Sequence, residues 1–210
     1  GFNATILAYG QTGSGKTFTM GTSPSTSGEN DGVIPRACRD LFQSVKTKCD
    51  RQAQVTCSYM EVYNEEIRDL LVDKQHSQQQ LRIRETLDGQ IYVRGMTERP
   101  ITSPEDVYKI MQEATGRRVV ASTKMNAASS RSHAICVLKV KGVVESSKTF
   151  ESKLTLVDLA GSERLKKTQA KGSRAKEGIS INKGLFVLGQ VIGALADQET
   201  RKRKLVQKPP

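Results

Sequence analysis

Gly10-Gln11-Thr12-Gly13-Ser14-Gly15-Lys16-Thr17, with Asn3-Ala4-Thr5-Ile6-Leu7-Ala8-Tyr9 in front of it, is the stretch on which the architecture turns. It satisfies the G-x-x-x-x-G-K-S/T pattern of a phosphate-binding loop. Residues 5–9 are short, β-branched and apolar, which predicts a buried strand. Lys16 onward opens a short helix that ends near Gly21. Gly10, Gly13 and Gly15 let the backbone bend so that successive N–H groups converge on an anion. The positive end of the following helix reinforces that site. In this frame Lys16 reaches the β- and γ-phosphates of a nucleotide, and the Thr17 hydroxyl holds Mg²⁺. A glycine-rich turn without a ligand needs neither the strand before it nor the helix after it.

The chain has 210 residues, one large domain or a piece of one. Lys plus Arg number 33 against 22 Asp plus Glu, a formal charge of +11. That excess predicts an acidic partner surface and salt-sensitive binding; nucleic acid, an anionic membrane and an acidic protein polymer all qualify. Cys38, Cys49, Cys57 and Cys136 show no C-x-x-C spacing and no pairing with the histidines. They read as reduced thiols of a cytosolic or nuclear protein, not as a disulfide frame or zinc site. No apolar run approaches membrane-spanning length, and no secretory signal opens the chain. Gly1-Phe2-Asn3 enters the first strand directly, which suggests a fragment.

Residues 22–31, rich in Ser, Thr and Gly, read as a surface loop. Pro35 suits the first turn of a helix in which Ala37, Leu41 and Val45 recur at helical spacing. Val55, Cys57, Tyr59 and Tyr63 alternate onto one face of a strand, and residues 64–71 read as a short helix behind it. Residues 73–80 are a Gln-rich connector. Leu81-Arg82-Ile83-Arg84 and Ile91-Tyr92-Val93-Arg94 flank Asp88-Gly89 as a hairpin, which sets Arg82, Arg84 and Arg94 on a solvent-facing ribbon. Ser103 as cap, Pro104 at the first helical position and acids behind it mark another helix start. Val107, Ile110, Met111 and Ala114 are its buried stripe. Residues 134–140 and 154–157 are two further strands joined by a polar hairpin. From about Ala175 a long helix carries Ile181, Leu185, Leu188, Ile192 and Leu195 at intervals of four and three. The order predicts an α/β fold of P-loop NTPase type: a central mixed, mostly buried β-sheet flanked by helices.

Two further segments turn phosphate binding into a mechanism. Asp158-Leu159-Ala160-Gly161-Ser162-Glu163 follows an apolar strand, and a carboxylate at such a strand end can orient Mg²⁺ through water. Gly161 lets a backbone N–H approach the γ-phosphate. Asn126-Ala127-Ala128-Ser129-Ser130-Arg131-Ser132-His133 stands just before a strand, with adjacent hydroxyls beside an arginine. Each segment taken alone also suits an ordinary turn or capped loop.

Together the strings AYGQTGSGKTFTMG, NAASSRSHA, VDLAGSER and EGISINKGLFVLGQVIGAL resemble the kinesin motor domain, in order, from Phe2 to about Asp197. The run from Leu165 to Leu185 is most similar to the chromokinesin-like class. The resemblance implies an ATP-dependent microtubule motor domain, a microtubule-stimulated ATPase with ATP and Mg²⁺ as cofactors. Gly10, Gln11, Thr12, Gly13, Ser14, Gly15, Lys16 and Thr17 would hold ATP, with Phe18 where the family stacks adenine and Asn126 in the first switch. Ser129, Ser130, Arg131, Gly161 and Glu163 would serve the γ-phosphate and attacking water, with Arg131 and Glu163 paired across the closed pocket. Thr17, Ser130 and, through water, Asp158 would hold Mg²⁺. Lys166, Lys167, Lys171, Arg174, Lys176 and Lys183, with Arg82, Arg84 and Arg94, would face acidic tubulin, which accounts for the positive charge.

The resemblance further implies a cytoplasmic, microtubule-bound location with a nuclear or spindle pool. It implies no membrane, no nucleic acid for this domain, and a parent protein dimeric through a stalk. The family's first strand and its last strands, final helix and neck linker have no counterpart. Unpaired sheet edges and exposed apolar surface are therefore expected. Residues 1–197 are expected to form a partial motor domain and residues 198–210 a basic, disordered tail. A non-catalytic microtubule-binding fragment of a kinesin is the alternative. A P-loop NTPase acting on nucleic acid ranks behind both, because no aromatic stacking platform accompanies the basic residues.

Overall fold

The computed structural model describes residues 2–21, 31–48, 53–72, 81–87, 89–121, 130–144, 148–163 and 173–206. In chain order the elements are β1 (Asn3–Ala8), α1 (Lys16–Met20), α2 (Val33–Lys48), β2 (Gln54–Tyr63), β3 (Glu66–Asp69), β4 (Arg82–Glu85), β5 (Ile91–Arg94), β6 (Arg99–Ile101), α3 (Pro104–Ala121), β7 (His133–Val144), β8 (Lys148–Asp158) and α4 (Ser173–Val206). They fall into two compact units, Gly1–Gly161 and Ser162–Pro210.

In the first unit the main sheet runs β1-β8-β7-β2-β3, with β6 also paired to β2. β1 and β8 are parallel, while β8 with β7, β7 with β2, and β2 with β3 and β6 are antiparallel. The sheet is thus mixed, as expected. Side chains on a strand have period two, so every second residue of a strand faces the same side of the sheet. Val55, Cys57 and Tyr59 of β2, Cys136 and Leu138 of β7, and Leu156 of β8 share one core with Met20, Ile34, Cys38 and Phe42. Val107, Ile110, Met111 and Ala114, the predicted stripe of α3, complete it. Each Val, Leu, Ile, Phe or Met among them contributes about 1.5–3 kcal/mol by leaving water. Three thiols sit inside: Cys57 and Cys136 approach to 3.8 Å, and burial pushes the Cys38 thiol up to about 12.

Several expectations are corrected. Residues 64–71 do not open a helix. Asn64 and Glu65 both take positive φ, 50° and 64°, and form a two-residue turn that returns the chain as β3 beside β2. A turn with both central residues at positive φ matches the strand twist, and that local chemistry outweighs the helical propensity of Glu65-Glu66. β1 is not a buried strand. It is a sheet edge paired only with β8 among the described residues, leaving Ile6 at 40% and Leu7 at 37% exposure. β1 is thus an apolar edge of the sheet among the described residues. β6 contains Pro100, which an edge strand tolerates because no ladder N–H is demanded there.

In the second unit α4 continues across the expected boundary at Asp197/Gln198 and through the predicted tail to Val206. The physical reason is local: Gln, Glu, Arg, Lys and Leu are good helix formers, and no Gly or Pro interrupts them between Gly193 and Pro209. Residues 207–210 lie outside the described residues. Of the predicted stripe, Ile181, Leu185 and Leu188 are half-buried, while Ile192 and Leu195 are exposed. No helix among the described residues is long and apolar enough to cross a membrane.

Candidate nucleotide site

The sheet register brings the three sequence segments to one edge. Ala8, the last residue of β1, pairs with Asp158, the last of β8. Asp158 in turn pairs with Ala134 at the start of β7. The glycine loop leaves β1, the 159–163 loop leaves β8, and residues 130–132 enter β7, all from the same row. Ligands of open α/β sheets bind at this carboxyl edge of the parallel strands.

Gly15 caps α1 with φ 89°, a conformation that side chains with a Cβ rarely adopt. At Gly10 an added Cβ would come within 2.6 Å of Ser14 Oγ, so a larger residue there would require the serine hydroxyl to turn away. The Lys16 ammonium donates to the carbonyls of Gly10 and Gln11, each at 2.9 Å. Thr17 Oγ1 donates to Asp158 Oδ2 at 2.8 Å, although 141 residues separate them in sequence. A hydroxyl beside a buried carboxylate is a hard oxygen donor pair of the kind Mg²⁺ prefers, so Thr17 and Asp158 suit the cation. Phe18 is exposed.

The other two segments are bonded to each other. The Gly161 N–H donates to the Ser130 carbonyl at 2.9 Å, and the Ala160 N–H donates to His133 Nδ1 at 3.0 Å. Nδ1 therefore accepts, which puts the ring proton of neutral His133 on Nε2. Burial, and then the nearby Arg118 guanidinium, push His133 below its ordinary value. The N–H expected to meet the γ-phosphate is thus engaged with a neighbouring carbonyl.

Thr17, Lys16, Ser130, Arg131, Asp158 and Gly161 all belong to the first unit, and Glu163 belongs to the second. Asn126 and Ser129 lie outside the described residues, as do Lys166, Lys167 and Lys171. Arg174 and Lys176 are within α4, and Lys183 is exposed on it. β4 and β5 form a separate two-stranded ribbon in which Arg82 pairs with Arg94 and Arg84 with Tyr92. Paired residues point to the same side of a ribbon, so all three arginines share one face.

Two residues near this edge escaped the sequence reading. Glu61 and Arg118, only 2% and 7% exposed, approach at 3.4 Å. Their signals were available. Glu61 continues the alternation of Val55, Cys57 and Tyr59, and Arg118 continues the stripe that ends at Ala114.

The family model described as the kinesin motor domain matches residues 1–207. This chain belongs to the kinesin motor domain family. It is 47% identical over 204 residues to the chromosome-associated kinesin KIF4 of Mus musculus, covering 95% of this chain and 17% of that protein. To KIF4A of Homo sapiens it is 48% identical over 204 residues, covering 95% of this chain and 16% of that protein. The chromokinesin-like resemblance agrees with both. Among solved structures, a fast kinesin analysed for its ATPase mechanism and interactions with microtubules matches with TM-score 0.82 at 40% identity, covering 94% of this chain and 56% of the other. A KIF14 dimer in a two-heads-bound state, with AMP-PNP and in complex with a microtubule, matches with TM-score 0.76 at 40% identity, covering 93% of this chain and 56% of the other. The kinesin chain therefore spans about one sixth of those curated relatives.

Proposed function

We propose that this kinesin chain binds ATP with Mg²⁺ and hydrolyses it in step with microtubule attachment, as the nucleotide-binding part of a motor. The observation that supports the reading is the register row Ala8–Asp158–Ala134, where the chain that enters the glycine loop, the start of the 158–161 segment and the start of β7 are neighbours. Mg²⁺, when bound, neutralises charge on the β- and γ-phosphoryl oxygens. Thr17 and Ser130 would ligate it, and Asp158 would orient it through water.

The chain's own groups supply the rest. Gly10, Gln11, Thr12, Gly13, Ser14 and Gly15 wrap the phosphates with backbone N–H groups, and Lys16 exchanges its loop carbonyls for phosphate oxygens. Phe18 stacks on adenine, and Asn126 and Ser129 complete the first switch. Gly161 exchanges the Ser130 carbonyl for a γ-phosphate oxygen. That exchange is the two-state element through which phosphate alters the switch loop. Arg131 and Glu163 pair on closure, and Glu163 draws the proton from the attacking water, through a second water.

Two groups would each meet the track: the arginine face of the β4–β5 ribbon in the first unit, and Lys166, Lys167, Lys171, Arg174, Lys176 and Lys183 in the second. In the parent protein a stalk pairs two such chains, which work on cytoplasmic microtubules with a spindle or nuclear pool. The test is Glu163→Ala. A charge left without its partner in a buried pair costs about 3–5 kcal/mol, so the variant should bind ATP and lose turnover. Normal turnover in that variant refutes the assignment. Sedimentation with microtubules but not with DNA is expected. A folded chain that sediments with microtubules at a flat ATPase rate would instead be a non-catalytic binder.

A further inference from the structure

A buried polar chain runs from β2 through α3 to the residues that precede β7. Arg118 Nη2 donates to Ser132 Oγ at 3.0 Å and to the Ser132 carbonyl at 3.4 Å. Its Nε donates to Glu61 Oε1 at 3.4 Å. The other Glu61 oxygen faces Arg68 Nη1 at 3.7 Å, and Arg68 lies over the Tyr63 ring, 5.1 Å from its centroid. Glu61 pairs in register with Ala134, which pairs with Asp158. The row that carries the nucleotide-site carboxylate therefore reaches, two strands on, the carboxylate that holds Arg118.

A buried ion pair is a poor way to stabilise a core, because desolvation cancels most of its attraction. A leucine at position 118 would extend the stripe of α3 with less cost. What an arginine adds is a planar fork that fixes two acceptors at once, here Glu61 and Ser132. Ser132 is fully buried, and its neighbours on both sides are tied to the 159–161 loop. The Ser130 carbonyl accepts from Gly161, and His133 accepts from Ala160. Arg118 thus grips the middle of the segment whose two flanks meet the loop that is to sense phosphate.

We propose that Glu61 and Arg118 are positioning residues of the nucleotide site: the pair fixes Ser132, and through it the placement of Ser130 and Arg131. The proposal rests on the nucleotidase reading above. Arg118→Lys and Glu61→Gln test it in the full chain, with Lys141→Gln, which breaks the exposed pair with Glu151, as the control. Lysine keeps the charge but not the fork. Amide hydrogen exchange at Ala160 and Gly161 should quicken by about tenfold or more in both variants, with the Cys57–Tyr59 and Cys136–Leu138 amides unchanged. Displacement of reacting groups by about 1 Å can lower a rate on the order of 100-fold. kcat should accordingly fall about 10- to 100-fold, with KM for ATP within about threefold and the control unaltered. Unchanged exchange at Ala160 and Gly161 in both variants, or equal acceleration across the whole sheet, overturns the proposal. A wild-type chain that hydrolyses nothing counts against the nucleotidase reading instead, and the exchange pattern then decides the clamp.

Discussion

Thr17→Val removes one hydroxyl and keeps the side chain's shape, so its effect isolates the bond to Asp158. That bond is 2.8 Å long, and its acceptor belongs to a carboxylate that is 3% exposed. A hydrogen bond to a charged group contributes about 1.5–3 kcal/mol net. The half-buried hydroxyl of Thr17 places the loss at the lower end, about 1.5 kcal/mol. With a urea slope of about 2 kcal/mol/M the unfolding midpoint should fall by roughly 0.5–1 M. Urea unfolding without nucleotide measures this, with Thr17→Ser as the control that restores Oγ. The second readout is chemical. If Thr17 is a Mg²⁺ ligand, ATP affinity in wild type should drop when Mg²⁺ is chelated, and Thr17→Val should show little further drop. An unchanged midpoint together with an unchanged Mg²⁺ dependence would refute both the bond's role and the ligand assignment.

Gly32→Ala would set a Cβ 2.1 Å from the Gly21 backbone nitrogen and 2.4 Å from its Cα. Both atoms are backbone, so the end of α1 must move about 1 Å, and a destabilisation of about 1–3 kcal/mol is expected in urea unfolding. His133 lies below its ordinary value of 6.5 because burial disfavours its charged form. The unfolded chain therefore binds the proton more readily, so stability is full above 6.5 and declines as pH falls below that value. A urea series between about pH 5 and 7 should show this slope, and His133→Asn should flatten it. Replacing Arg82, Arg84 and Arg94 together by Gln should weaken microtubule co-sedimentation and make it less salt-sensitive. Because those side chains are exposed on a separate ribbon, stability should change by no more than about 0.5 kcal/mol per residue.

How far the sequence could be read depended on whether each feature was local. The glycine loop, the Ser103-Pro104 helix start and the alternation in β2 are written in consecutive residues, and the structure places each as expected. The turn at Asn64-Glu65 was also local, but two acids in helical company masked an asparagine suited to positive φ. Register is different. Nothing in the chain announces that Ala8 faces Asp158 or that Asp158 faces Ala134, because pairing is settled by burial across the sheet. The same holds for Glu61 and Arg118. Each breaks an apolar pattern in a way that is visible, but the reason appears only when β2, α3 and Ser132 meet. The exposure of β1 follows from what lies beside a strand, a property its own residues do not encode. Of the predicted site, Asn126, Ser129, Lys166, Lys167 and Lys171 fall outside the described residues, and their roles rest on resemblance to the family.

The measurement that bears most directly on the account is ATP hydrolysis by the purified chain, with and without microtubules, beside Lys16→Ala. Lys16 is bonded to the Gly10 and Gln11 carbonyls and is the loop's one side-chain cation, so its loss should remove the phosphate grip without touching the core. The account predicts a wild-type rate that microtubules raise and a Lys16→Ala rate that stays at background in both conditions. A folded wild-type chain with no ATP-dependent rate, or a Lys16→Ala variant that microtubules still stimulate, would contradict it.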